Sequence, residues 1–335
     1  MTEANNKGQI RIYACGGAGI NVGKLFEVAR GENAPAFAQM HVSYLDTSDS
    51  NLKTVKTTLD NIYRIEGIDG SGQVRAENYD EIAPRVRDML QKHPALDLSI
   101  VIHSFSGGSG SVIGPSLVSE LTDEGKNVIV IGIGDASTVN YANNTMKTIK
   151  SYGNIAHTKE VPIIAAYFEN TPTTPRSEVD LAIQQLVTAL AVLFSRENHE
   201  LDSADLRNWL NFQKVTSFEP QLGALTLFEG TDLAADYGEI ITVATLATEK
   251  SGTTLNSVIG YQTVGWLPPA DSEQMKKVHA AAPIHFMISD GVFGDVNDRL
   301  EKFLADHQKR VDSRPPKKNT ILKGTEGATK NGVVL

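Results

Sequence analysis

A single cysteine, Cys15, stands among 335 residues. No internal disulfide framework can form, and one lone thiol fits a reducing compartment. Long hydrophobic runs are missing as well. No stretch approaches the ~20 apolar residues that span a bilayer, and the opening residues hold no apolar signal region, so the chain reads as soluble and intracellular, with no membrane partner. Positive charge is scarce: 31 Lys and Arg against 40 Asp and Glu leave a net −9. Nucleic-acid affinity comes mainly from neutralising phosphates, so direct binding of nucleic acid is not expected. The eight histidines show no His-x-x-x-His spacing and no cysteine partner, which argues against a zinc site.

What is present is glycine in two particular places. Residues 99–121 begin as a short apolar run, break into Ser106-Gly107-Gly108-Ser109-Gly110-Ser111, and resume with apolar residues at helical spacing: Val112, Ile113, Leu117, Val118 and Leu121. The pattern predicts a strand, a glycine-rich loop and a helix. Such a loop gathers backbone N–H groups at the positive end of a helix and suits an anion, most often a phosphate. The serine hydroxyls at 106, 109 and 111 are expected to add donors. Close packing of a βα turn would also explain the glycines of a single loop.

The second place is Gly16-Gly17-Ala18-Gly19-Ile20-Asn21, a glycine loop expected between a predicted strand over Gln9–Cys15 and a helix that follows through about Arg30. It is not a Walker A loop, because Lys24 is followed by Leu25. It is not a full dinucleotide fingerprint either, for want of a third glycine at the required spacing. Asp46 ends a second strand as a ribose-binding acid would, which keeps an NAD-type dehydrogenase as an alternative. One phosphate loop serves a dinucleotide, whereas two suit the greater charge of a nucleoside triphosphate.

Elsewhere strands and helices alternate, predicting a parallel sheet covered on both faces. A helix is expected over residues 79–92 with Pro84 in its first turn. The long apolar helix over residues 178–198 should be buried between two bodies. From Pro220 onward Thr- and Val-rich stretches suggest a smaller mixed sheet, followed by a charged amphipathic helix and then a Pro-, Lys- and Gly-rich tail expected to be unstructured by itself. The expected divisions are 1–172, 173–215, 216–310 and a flexible tail over 311–335.

The two glycine loops and the run Leu201-Asp202-Ser203-Ala204-Asp205, taken in that order, resemble the tubulin/FtsZ superfamily. The Gly-Gly-Ser-Gly-Ser-Val version of the signature loop, the Leu-Asp-x-x-Asp-x-x-Asn-Trp run at residues 201–209 and a tail ending in Gly-Val-Val resemble the phage tubulins. That resemblance implies a Rossmann-like parallel-sheet GTPase domain, a long central helix, a smaller α+β domain and a tail. It implies binding of GTP or GDP with Mg²⁺ and hydrolysis of GTP. Gly16, Gly17, Ala18, Gly19 and residues 106–111 would surround the phosphates, and Asn21 would also reach the guanine. Asp46 and Thr47 would make phosphate or metal contacts. The loop over 66–73, with Gly70 and Gly72, would sense the terminal phosphate. Asp135 would lie on the ribose side, while Asn170 and Asp180 would read the base.

A carboxylate that accepts from guanine N–H groups meets no such donor in adenine, which favours GTP over ATP. Asp202 and Asp205, on the resemblance, would enter the neighbouring subunit's site and act on its GTP. Read from the residues alone, they are ordinary helix caps, and Asp180 is an ordinary first-turn acid. The implied partner is a second copy of the chain in a head-to-tail filament, with a tail that docks on the next subunit. Here the tail carries a net +3, where the phage tubulins typically carry acid. The implied setting is the cytoplasm of a phage-infected bacterium, with phage DNA or replication machinery as cargo. A nucleotide-binding scaffold with little hydrolysis is the further alternative.

Overall fold

The computed structural model describes residues 7–26, 36–231, 238–255 and 259–314, with the backbone of 329–330 and 333–334. Its centre is a set of strands that read as apolar runs: β1 (Gln9–Cys15), β2 (Gln39–Asp46), β3 (Ile62–Arg64), β4 (Leu98–Ser104), β5 (Val128–Asp135) and β6 (Ile163–Asn170). All pair in parallel in the order β3-β2-β1-β4-β5-β6. Strands covered on both faces have no solvent side, so β4 and β5 are buried almost throughout. Side chains alternate along β1. Ile10, Ile12 and Ala14 enter one core, while Tyr13 and Cys15 enter the other.

The first core is closed by α1 (Gly16–Gly23), α7 (Arg176–Leu193) and α8 (Ser203–Leu210). The second is closed by α4 (Val86–Lys92), α5 (Gly110–Asp123), α6 (Val139–Lys159) and α10 (Val292–Asp312). Two short helices, α2 (Asp49–Leu52) and α3 (Tyr79–Ile82), sit in the connections on either side of β3, and α9 (Glu273–Ala281) precedes the last strand of the sheet. The buried face of α7 includes Val179, Ile183, Leu186, Leu190 and Leu193. Beside it Trp209 is fully buried, its indole N–H donating to the Phe286 carbonyl at 3.1 Å.

The expected smaller sheet is not separate. β7 (Leu222–Glu229), β8 (Ile240–Ala247), β9 (Tyr261–Trp266) and β10 (Ile284–Ser289) extend the first sheet as β6-β7-β10-β8-β9, ten strands among the described residues. The join is three residues long: Ile163–Ala165 pair in parallel with 222–224. So short a register leaves no mark in the hydrophobic pattern.

Three local expectations are corrected. Residues 16–21 are not a loop, because α1 starts at Gly16 directly from the last residue of β1. Pro84 does not lie in a first turn. The helix breaks into α3, a 3-10 turn over Ala83–Arg85 and α4, which accommodates the missing N–H. α7 spans Arg176–Leu193 rather than 178–198, since Arg196 has a φ of +67° beyond its end. The extension of the first helix past residue 26 and most of the tail lie outside the described residues. At the chain's end Thr329–Lys330 pairs antiparallel with Val333–Val334.

Candidate functional site

The strand order reverses between β1 and β4, and open parallel sheets bind ligands at the carboxyl ends of the strands at such a switch. A cleft of about 480 Å³ opens there. Its floor is the start of two helices. Gly16 has a φ of +69°, which lets the chain turn from β1 into α1 without a spacer residue. Gly110 begins α5, and a methyl group on it would stand 2.7 Å from the Cys15 carbonyl oxygen. Two helix N-termini therefore converge with backbone against backbone, and the positive ends of the two helix dipoles make the floor electropositive.

The turn before α5 is built by Ser104, whose Oγ accepts from the N–H groups of Ser106 at 3.2 Å and Gly107 at 3.0 Å. Ser109 shares a 2.7 Å hydrogen bond with the buried Thr47 hydroxyl. The Ser111 hydroxyl turns away from the expected cradle: it is fully buried and donates to the carbonyls of Gly107 and Gly108, both at 2.8 Å. Its task is to shape the turn.

Asp46, at the end of β2, forms one wall. Its carboxylate accepts from the Thr47 N–H at 2.7 Å and from Asn51 Nδ2 at 2.7 Å. Burial pushes its pKa up, and those hydrogen bonds pull against the shift. Oxygen donors near a substrate polyphosphate suit Mg²⁺, which is commonly bound by one or two carboxylates plus phosphate oxygens. Asp46 and Ser48, both lining the cleft, fit that donor set. Among the described residues no cluster of three or more His, Cys, Asp or Glu exists to hold a metal on its own. A further wall is the segment from Gly70 to Gln73, where Ser71 sits so close to Gly108 that a methyl group on Gly108 would meet its Oγ at 1.8 Å.

Of the residues singled out from sequence, Gly16, Gly17, Ala18, Asp46, Gly70, Gly72, Ser106, Gly107, Gly108, Ser109, Gly110, Asp135 and Asn170 all line this one cleft. Asp135 and Asn170 face each other across the β5–β6 register, and Asn170 Oδ1 is buried with no partner among the described residues. An acceptor left open at the rim is what a ligand's N–H would fill.

Others lie elsewhere. Gly19 packs under the floor, where a methyl group would be 2.2 Å from the Ile102 carbonyl oxygen. Thr47 is wholly buried behind Ser109. Asn21, in the second turn of α1, accepts from Lys24 Nζ at 3.3 Å and is not part of the lining. Asp180 also lies off the lining, half-buried and 3.6 Å from Arg176. Burial raises its pKa, against the pull of Arg176.

Asp202 and Asp205 form a capping box at the start of α8. Asp202 accepts from the N–H groups of Ala204 at 2.6 Å and Asp205 at 3.0 Å, and Asp205 Oδ2 accepts in return from the Asp202 N–H at 3.0 Å. The bonds from the Asp205 and Ala204 N–H groups hold Asp202 below the usual carboxylate range. Asp202 is exposed, Asp205 is half-buried, and neither lines its own subunit's cleft.

Sequence reasoning missed Ser48, Asn51, Ser104 and Tyr141, all in the lining, while Ser71 and Gln73 belong to the loop expected over 66–73. Ser104 could have been found from its place beside a glycine turn. Tyr141, on α6, carries no local signal.

Comparison with known proteins gives consistent results over the whole chain. A model described as the Tubulin/FtsZ family GTPase domain matches residues 9–171, and one described as the phage tubulin-like protein C-terminal domain matches residues 201–292. A phage tubulin-like protein of Pseudomonas phage phiKZ is 30% identical over 344 residues, covering 98% of this chain and 99% of that protein. One from Pseudomonas phage PhiPA3 is 28% identical over 337 residues, with 98% and 100% covered. A solved structure described as a protofilament of TubZ from Bacteriophage PhiKZ superposes with a TM-score of 0.81 at 29% identity, covering 97% of this chain and 99% of that one.

Proposed function

Because this chain belongs to the tubulin/FtsZ family and carries the GTPase domain and the phage-tubulin C-terminal domain together, we propose that it binds and hydrolyses GTP and polymerises head-to-tail into dynamic filaments. The filaments work in the cytoplasm of an infected bacterium and position phage DNA or replication machinery. The single observation that carries the reading is the separation of parts. One subunit holds a cleft of two glycine turns suited to a triphosphate, while Asp202 and Asp205 sit at its surface outside that cleft.

In this reading the floor N–H groups and the serine-shaped turn at 106–110 hold the phosphates. Asp135 and Asn170 lie at the nucleoside end, and Asp180 and Asn21 complete base recognition when the nucleotide is bound. Asp46 and Ser48 would hold Mg²⁺ together with the nucleotide, and the ion would offset phosphate charge. Asp202 and Asp205 of one subunit orient water against the terminal phosphate in the next, since phosphoryl transfer needs chiefly positioning and electrostatics. A site completed by unlike surfaces repeats without closing, which yields an open filament. Support for self-association comes from the relative described as a protofilament.

Phosphate release measured against protein concentration, alongside sedimentation with GTP, GDP and a non-hydrolysable analogue, tests the proposal. Turnover should rise steeply above a critical concentration and track the pelleted fraction. Specific activity that stays flat across concentrations overturns it.

A further inference from the structure

Helix α5 carries a proline, Pro115, as its sixth residue. Proline has no N–H, so the carbonyl four residues back, that of Ser111, loses its helical donor. Arg75, in the connection between β3 and α3, replaces it. Its Nη1 donates to the Ser111 carbonyl and to Thr148 Oγ1 at 2.6 Å, and its Nη2 donates to Ser151 Oγ at 2.8 Å. All three acceptors are neutral, and they come from two different helices.

One turn back along α6, the buried Asn144 does the same for the loops. Its Nδ2 donates to the carbonyls of Gln73 at 2.9 Å, Ser106 at 3.0 Å and Gly107 at 3.3 Å. Asn140 adds a second donor to Gln73 at 3.0 Å. Spaced four, four and three apart, Asn140, Asn144, Thr148 and Ser151 make a polar stripe on α6, and at its two buried members, Asn144 and Thr148, that period is ordinarily apolar.

We propose that Arg75 and Asn144 are positioning residues of the cleft, fastening two of its walls, residues 66–78 and 105–111, to one face of α6 so that they loosen together and set how fast nucleotide leaves. The proposal rests on the nucleotide reading of the cleft given above. Ser71 against Gly108 makes the consequence direct, because the two walls already touch and release requires them to part.

The test uses the full-length protein, stopped-flow release of a fluorescent GDP derivative, and amide hydrogen exchange. Asn144→Asp keeps the side chain's shape but replaces donors by acceptors, and Arg75→Lys keeps the charge but cannot span three acceptors. Each should speed release about tenfold, the scale expected from losing one or two hydrogen bonds. Exchange protection should fall in 66–78 and in 105–111 together, with β8 and β10 unchanged. Adding Pro115→Ala to Arg75→Lys returns an N–H to the Ser111 carbonyl, so protection at the start of α5 should recover while release stays fast. Release within twofold of wild type, or protection lost from one wall only, overturns the proposal. Should Asn144→Asp not fold, Arg75→Lys decides alone. A wild-type protein that bound no guanine nucleotide would sink the functional reading, and the exchange measurement would still decide whether the walls share a support.

Discussion

Gly16 and Gly110 meet backbone to backbone where α1 and α5 begin: a methyl group on Gly16 would lie 2.9 Å from both the N and the Cα of Gly110. Neither contact partner is a side chain that can swing away. Gly110→Ala is therefore expected to cost about 1–3 kcal/mol by overpacking and to weaken GTP binding at least tenfold by parting the two helix N-termini. Calorimetric titration with GTP and a thermal melt check both. Gly108→Ala differs, because what its methyl meets first is the Ser71 hydroxyl. It should displace the wall at 70–73 and weaken binding while leaving the melting temperature within a few degrees.

The capping box separates two roles of one residue. Asp205→Ala removes the acceptor for the Asp202 N–H and should cost about 1 kcal/mol of stability, whereas Asp205→Asn keeps an acceptor oxygen. If Asp205 also acts on a neighbour's nucleotide, both variants should bind GTP normally and assemble, yet release phosphate at least a hundredfold more slowly. Retained turnover in Asp205→Asn filaments would confine the residue to capping.

Asn170 lines the cleft, and its buried Oδ1 has no partner among the described residues. Asn170→Ala should lower GTP affinity about tenfold, on the scale of a buried hydrogen bond to a ligand, and narrow the preference for GTP over ATP. Competition binding with the two nucleotides measures it.

Two buried histidines make stability fall in acid. Burial lowers the His103 pKa to about 3, and its Nε2 lies 2.6 Å from the Tyr152 hydroxyl. Burial, then the charges of Arg11 and Lys92, lower His93 to about 4. In the unfolded chain both titrate near 6.5, so below that pH the unfolded state binds more protons. Their contribution is whole above pH 6.5 and shrinks as pH falls toward the folded values, by up to about 1.4 kcal/mol per unit for each ring. His93→Asn should reduce the stability difference between pH 7.5 and pH 5 by about 2 kcal/mol, read from urea midpoints at the two pH values.

Much of the cleft lining is legible in the sequence, because glycine clusters at strand ends announce themselves by composition. The same holds for the apolar strands β1, β4, β5 and β6 and for the long helix α7, whose periods are written locally. The residues that hold the walls were not legible. Arg75 reads as a surface charge in a loop and Asn144 as an ordinary helix polar residue until the chain folds them against Ser111 and Gln73.

By itself the sequence determined that β1 and β4 end in glycine-rich segments leading into helices, that the core is parallel and covered on both sides, and which residues cap α8. Those follow from hydrophobic period and from the backbone freedom of glycine, both properties of neighbours along the chain. Only the tertiary structure decided that one sheet of ten strands runs through the molecule, that Ser111 shapes the turn from behind rather than facing the cleft, and that a proline's missing hydrogen bond is supplied from another segment. Each of those is a contact between residues far apart in the chain, and no local pattern encodes which distant donor will meet an unpaired carbonyl.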